Sequence, residues 1–132
     1  SSDLKVEMVI RGICCMLTEN SKYKDVYAIS IVDEYLEHAR VLIFNNGGNP
    51  LVYISSADWM VRNLDHRVEA ACPILDNELK LELMEIIKIQ LKDNVKARIL
   101  DTELNNVYVS SQGKKKIRSQ IETYNYLIKK QS

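Results

Sequence analysis

His38-Ala39-Arg40 sets an imidazole two residues from a guanidinium. On an extended backbone residues i and i+2 point to one face, so the two side chains would leave the chain together. A group that can exchange a proton, beside a cation that keeps its charge, suits a phosphate. The plainer reading is a surface histidine next to Glu37. A denser run follows the apolar residues 51–54: Ser55-Ser56-Ala57-Asp58-Trp59-Met60, then Arg62-Asn63-Leu64-Asp65-His66-Arg67. Ser55 and Ser56 could donate to phosphate oxygens, with Arg62, Asn63 and Arg67 in support. Asp58 and Asp65 could orient the arginines. The alternative is a hydrogen-bonded structural turn anchored by Trp59, the single tryptophan. Arg11-Gly12 closes the first apolar run. Ligands gather at strand ends in open α/β sheets, and a planar arginine fork favours phosphate oxygens. A surface arginine beside a turn is the other reading. Lys114-Lys115-Lys116-Ile117-Arg118 reads as the start of a final helix. Cations there oppose the helix dipole, which points to anion attraction unless the lysines are simply solvated.

The elements that must position these groups are legible as periodicities. Residues 4–10 and Val26–Ile31 read as buried strands, with a polar loop tip at Thr18-Glu19-Asn20-Ser21-Lys22 between them. Asp33-Glu34-Tyr35-Leu36 reads as a short helical turn. Residues 40–44 and 51–54 flank Asn45-Asn46-Gly47-Gly48-Asn49-Pro50, where Asn and Gly tolerate positive φ, so a hairpin is expected. Residues 67–72 read as a further strand stopped by Pro73. Asp76 can cap a helix running to about Lys92, with Leu79, Leu83, Ile87 and Leu91 along one face. Residues 95–110 look irregular, with Val107 and Val109 extended. A last helix carries Ile117, Ile121, Tyr124 and Ile128 on one stripe, and core packing is expected for both stripes. The pattern is that of an α/β domain with a mixed sheet.

Composition narrows the function classes. The 132 residues suffice for one domain, and 46% hydrophobic with 27% charged residues is ordinary globular usage. Eighteen basic against eighteen acidic residues leave no net charge, so bulk electrostatics favours neither nucleic acid nor membrane, and an anion site must be built locally. No apolar run reaches the roughly 18 residues of a membrane span, and the N-terminal residues do not read as a signal peptide. Three cysteines, two of them adjacent, make neither a disulfide framework nor a zinc pattern, so a reducing cytoplasm is expected. A strand so close to residue 1 fits either a piece of a longer protein or a natural N-terminal strand.

Several of these runs, in this order, resemble bacterial polyphosphate kinase of the first type. They are Arg11-Gly12-Ile13-Cys14-Cys15, Ser30-Ile31-Val32-Asp33-Glu34-Tyr35-Leu36-Glu37-His38-Ala39-Arg40, Asn46-Gly47-Gly48, Ser55-Ser56-Ala57-Asp58-Trp59-Met60, Arg62-Asn63-Leu64-Asp65 and Arg67-Val68-Glu69. The resemblance continues through Val95-Lys96-Ala97-Arg98 and covers nearly the whole chain. It implies a phospholipase D-like mixed sheet flanked by helices, as an incomplete C-terminal domain spanning residues 1–132. It also implies exchange of a phosphate between ATP and polyphosphate through a phosphohistidine in a domain outside this chain. Carried over, the family's second histidine falls on His38, and its nucleotide- or phosphate-contacting arginines on Arg11 and Arg67. Arg40, Ser55, Ser56, Arg62 and Asn63 would support them. Magnesium would come with ATP, without a dedicated cage here. The expected partners are ATP or ADP, polyphosphate and the phosphohistidine domain, with no nucleic acid and a homo-oligomeric parent, cytoplasmic or peripheral at the inner membrane. An inert polyphosphate- or nucleotide-binding module, and a phospholipase D-type phosphodiesterase half-site, are the competing classes. Arg40 replaces the lysine of the phospholipase D motif His-x-Lys, and Asn45 stands where its aspartate would be.

Overall fold

A computed structural model describes residues 4–12, 14–15 and 25–131, so Ile13 and the expected loop tip at 18–22 lie outside the described residues. The chain divides into two compact units, Ser1–Leu36 with Ile86–Ser132, and Glu37–Glu85.

The first unit is built on a three-stranded sheet of β1 (Val6–Val9), β2 (Val26–Ile31) and β6 (Ala97–Ile99), with β2 in the middle. β1 runs parallel to β2, with Val6 opposite Val26, and β6 runs antiparallel to it, with Ile31 opposite Ala97. The sheet is therefore mixed, as expected. Ala28, Ile29 and Ile31 of this central strand are buried, which fits its mostly apolar run. Ile29, Ile31 and Ala97 form the buried cluster, with Val9, Tyr27, Leu91 and Val109 packed against it. β6 was hidden in the stretch that reads as irregular. Its outer edge continues through Ile99 N–H to Val107 O and Val109 N–H to Ala97 O, so Val107 and Val109 are extended.

Two buried polar residues tie the loops of this unit together. Asp93 has no exposed surface. Its Oδ1 accepts the N–H groups of Val95, Lys96 and Ala97 at 2.7–3.0 Å, and its Oδ2 accepts that of Ser119 at 2.7 Å. Asn94 donates to Lys115 O and accepts Ile117 N–H, fixing the basic run as extended chain. That corrects the expected helix start. α3 spans Ser119–Gln131, so Lys114, Lys115 and Lys116 precede the helix, while Arg118 stands at its N-terminal cap, its carbonyl accepting Ile121 and Glu122 N–H. Arg118 instead makes two bonds to Asp33, at 2.7 and 2.8 Å, and one to Glu34. The Gln120 side chain takes both backbone groups of Tyr35. Those contacts explain why residues 33–36 bend and form no helical turn.

The second unit holds an antiparallel sheet of β3 (Val41–Phe44), β4 (Leu51–Ser55) and β5 (Ala71–Pro73), in that order. β3 and β4 form the expected hairpin, Val41 opposite Ile54 and Phe44 opposite Leu51. Its turn is a short 3-10 segment, Asn46–Gly48, in which all three residues have positive φ. Asparagine and glycine are the residues that accept this backbone at least cost. Val52 is the buried centre of the sheet. The last strand is shorter than expected: residues 67–70 lie outside the ladder, and Pro73 closes it on the sheet edge, where its missing N–H does no harm.

α1 is a single turn, Val61–Leu64, and α2 spans Asn77–Leu91. Asp76 caps α2 as expected, its Oδ1 accepting Glu78 and Leu79 N–H at 2.9 and 3.0 Å. Core packing of the two helical stripes is only partial. Leu91 meets the core, yet α2 has no buried residue and Leu79 is 52% exposed. Tyr124 of α3 is 63% exposed, and Ile117 falls outside the helix.

Candidate functional site

The second unit brings the histidine and a cation together. His38 lies in extended chain just before β3, and Arg40 immediately precedes Val41. Arg40 O accepts Ser55 N–H at 2.9 Å, which extends the hairpin ladder by one bond and holds the backbone beneath the guanidinium. Arg40 Nη2 then stands 3.0 Å from His38 Nε2, and Arg40 Nε donates to Asp58 Oδ1 at 2.7 Å. A guanidinium only donates, so Nε2 is the acceptor of that pair. His38 is exposed, and the Arg40 and Asp58 side chains keep 26% and 38% of their surface in solvent. An incoming anion can therefore reach His38 and Arg40.

The Ser55–Arg67 loop uses its polar groups differently from expectation. Ser55 Oγ donates to Ala70 O at 3.3 Å and accepts Ala57 N–H at 3.1 Å. Ser56 Oγ donates to Glu69 Oε2 and accepts Ala70 N–H. Asn63, almost fully buried, donates to Glu69 Oε1 at 2.7 Å. A hydroxyl has one proton to give, and in both serines that proton has an internal acceptor. Ser55, Ser56 and Asn63 thus hold the loop together through internal partners. Trp59 does not anchor this turn, because it is 78% exposed. Asp58 pairs with Arg40 rather than with Arg62 or Arg67. Arg62, on α1, and Arg67, in the bend after it, are both exposed.

Around His38 opposite charges are paired, Arg40 with Asp58. Its Arg40 hydrogen bond holds the Asp58 carboxyl below the usual carboxylate range, with the positive charges of Arg40 and Arg62 adding to the effect. The same bond raises the Arg40 guanidinium further. Ser56 and Asn63 donating to Glu69 hold its carboxyl low, helped by the charges of Arg67 and Arg40. Glu69 organises the loop by accepting from Ser56 and Asn63, a role that composition alone does not reveal. The hairpin register carried the signal for Asp58: with Val41 opposite Ile54, a loop leaving Ser55 begins beside Arg40.

Arg11 belongs to the first unit. Ile10 N–H donates to Ile29 O at 2.8 Å, the last ladder bond of β1, and Arg11 follows it, exposed, ahead of Gly12 with φ of 91°. The residue sits at a strand end, as its position in the sequence suggests.

Comparison with known proteins places this arrangement. Residues 2–120 match the sequence model of a family described as polyphosphate kinase C-terminal domain 2. The polyphosphate kinase of Klebsiella pneumoniae is 48% identical over 128 residues, covering 96% of this chain and 19% of that protein. The Escherichia coli K12 polyphosphate kinase matches at the same identity and coverage. The crystal structure of polyphosphate kinase from Porphyromonas gingivalis superposes with a TM-score of 0.94 at 44% identity, covering 96% of this chain and 20% of that one. The chain spans about a fifth of the length of these relatives. With a family model matched over residues 2–120 and this agreement in fold, the chain belongs to the polyphosphate kinase family, as its C-terminal domain 2.

Proposed function

We propose that this chain supplies the second-histidine side of an enzyme that reversibly transfers the terminal phosphate of ATP to polyphosphate. The observation that carries the reading is the 3.0 Å pairing of His38 Nε2 with Arg40 Nη2 on an exposed edge. It joins a proton-exchanging group to a fixed positive charge, which is what a transferring phosphate needs beside it. Phosphoryl transfer asks a protein mainly for positioning and charge neutralisation.

In this proposal His38 is the acid/base toward the transferring phosphate or its leaving oxygen. Arg11 and Arg67 contact nucleotide or polyphosphate oxygens, and Arg40 and Arg62 add positive charge. The covalent step belongs to a phosphohistidine in another domain of the parent. Magnesium enters as part of the nucleotide substrate. The parent works in the cytoplasm, as an oligomer.

Isotopically labelled ATP tests the division of labour. The full-length parent should take up acid-labile label on a histidine outside this chain, and the 132-residue chain alone should take up none. Stable acid-labile label on His38 or His66 would overturn the assignment.

A further inference from the structure

We propose that Asp58 is a positioning residue for His38, acting through the Arg40 guanidinium. The inference deepens the proposed reaction and rests on it for its catalytic consequence. Its structural part stands on geometry alone. Asp58 Oδ1 receives Arg40 Nε at 2.7 Å, and Arg40 Nη2 reaches His38 Nε2 at 3.0 Å. Arginine has no acceptor, so Nε2 must present its lone pair to Nη2, and a neutral His38 carries its proton on Nδ1. Free neutral histidine prefers the other tautomer, with the proton on Nε2. The pairing therefore selects a form the ring would not adopt by itself.

Asp58 is what makes that selection firm. Arginine is long and flexible, and an exposed one otherwise samples many rotamers. Here the guanidinium is held at Nε by a carboxylate whose own mounting is rigid. Ser55 and Ser56, on one side of Asp58, are bonded to Ala70 and Glu69, and Met60, on the other, begins α1 with bonds from Asn63 and Leu64. Arg40's backbone is fixed in turn by Ser55. A phosphate oxygen arriving at Arg40 would take over the Nη2 donor and free the Nε2 lone pair for proton exchange. Until then the ring stays oriented, as the carboxylate partner of a catalytic histidine fixes its tautomer elsewhere.

The chain contains only His38 and His66, so imidazole 15N–1H correlation spectra can be assigned with one His66→Asn control. Recorded under alkaline conditions, wild type should show His38 as the Nδ1–H tautomer. Asp58→Asn should move it toward Nε2–H while His66 stays unchanged. An Nε2–H His38 in wild type, or no change in Asp58→Asn, overturns the inference. In the full-length parent, Asp58→Asn should lower kcat on the order of 10- to 100-fold with KM for Mg-ATP nearly unchanged. Asp58→Glu, which keeps the carboxylate, should recover most of the loss. Wild-type kcat in Asp58→Asn alongside an inactive His38→Ala would remove this inference and leave the proposed function standing. An active His38→Ala would remove the proposed function, with the tautomer still deciding the pairing.

Discussion

Replacing Asp93 by asparagine should cost this fold about 2–3 kcal/mol, because four backbone donors converge on one buried carboxylate. Asparagine keeps Oδ1 for Val95, Lys96 and Ala97, but puts an NH2 where Oδ2 accepts Ser119 N–H. One charge-assisted bond worth about 1.5–3 kcal/mol is lost, and the other three weaken as the charge goes. Relief from burying a charge offsets part of this. Asp93→Ala removes every acceptor, and stranding the buried Ala97 and Ser119 donors alone costs about 2–6 kcal/mol. Set against a typical total of about 5–15 kcal/mol, that variant sits near unfolding. Urea denaturation followed by far-ultraviolet circular dichroism reads the difference, since Trp59 is too exposed to report it. With a slope of about 1–3 kcal/mol/M, Asp93→Asn should lower the midpoint by roughly 0.7–3 M. The pH dependence adds a second check. Burial would raise the Asp93 carboxyl, but the N–H groups of Ser119, Lys96 and Val95 outweigh it and hold it below its ordinary value. A carboxyl depressed by folding contributes fully above its unfolded value of about 4, and the contribution is lost as pH falls through the lower folded value. The gap between wild type and Asp93→Asn should be constant above about pH 5 and should narrow below about pH 4. An unchanged urea midpoint, or a gap that widens in acid, would refute the reasoning.

The serines and the charge of the site give two further tests. Ser56→Ala should lower the thermal midpoint by loosening the loop at Glu69 and Ala70 while leaving polyphosphate affinity within about twofold; a large loss of affinity at full stability would restore the hydroxyl as a direct contact. Calorimetry should show long-chain polyphosphate and ATP binding to the chain and weakening as salt rises, because exposed arginines are screened; salt-independent binding, or none, would count against the arginine contacts.

What the sequence made legible depended on how local the cause was. The mostly apolar run Val26–Ile31 became the central strand with the expected bounds, because apolar content and burial go together. The Asn-Gly turn and the Asp76 cap were readable because each acts on backbone within a few residues. β6 was not readable: three residues leave no period, and its main partner, β2, is far away in sequence. The start of α3 was misread for a similar reason. Lys114–Arg118 looks helical in isolation, but Asn94 and Asp33 claim its groups across the sequence. In the site, the closeness of His38 and Arg40 followed from their spacing, and Asp58 was legible as a residue that could orient an arginine, whereas Arg40 as its partner and Glu69 as the loop's acceptor depend on the hairpin register that returns the loop beside Arg40.

The central claim is that His38 exchanges a proton with the transferring phosphate, and steady-state polyphosphate synthesis from Mg-ATP by the full-length parent carrying His38→Ala tests it most directly. General acid/base contributions of this kind are worth about 10²–10⁴ in rate, so kcat should fall by that order. Near-normal synthesis by the His38→Ala enzyme would contradict the account.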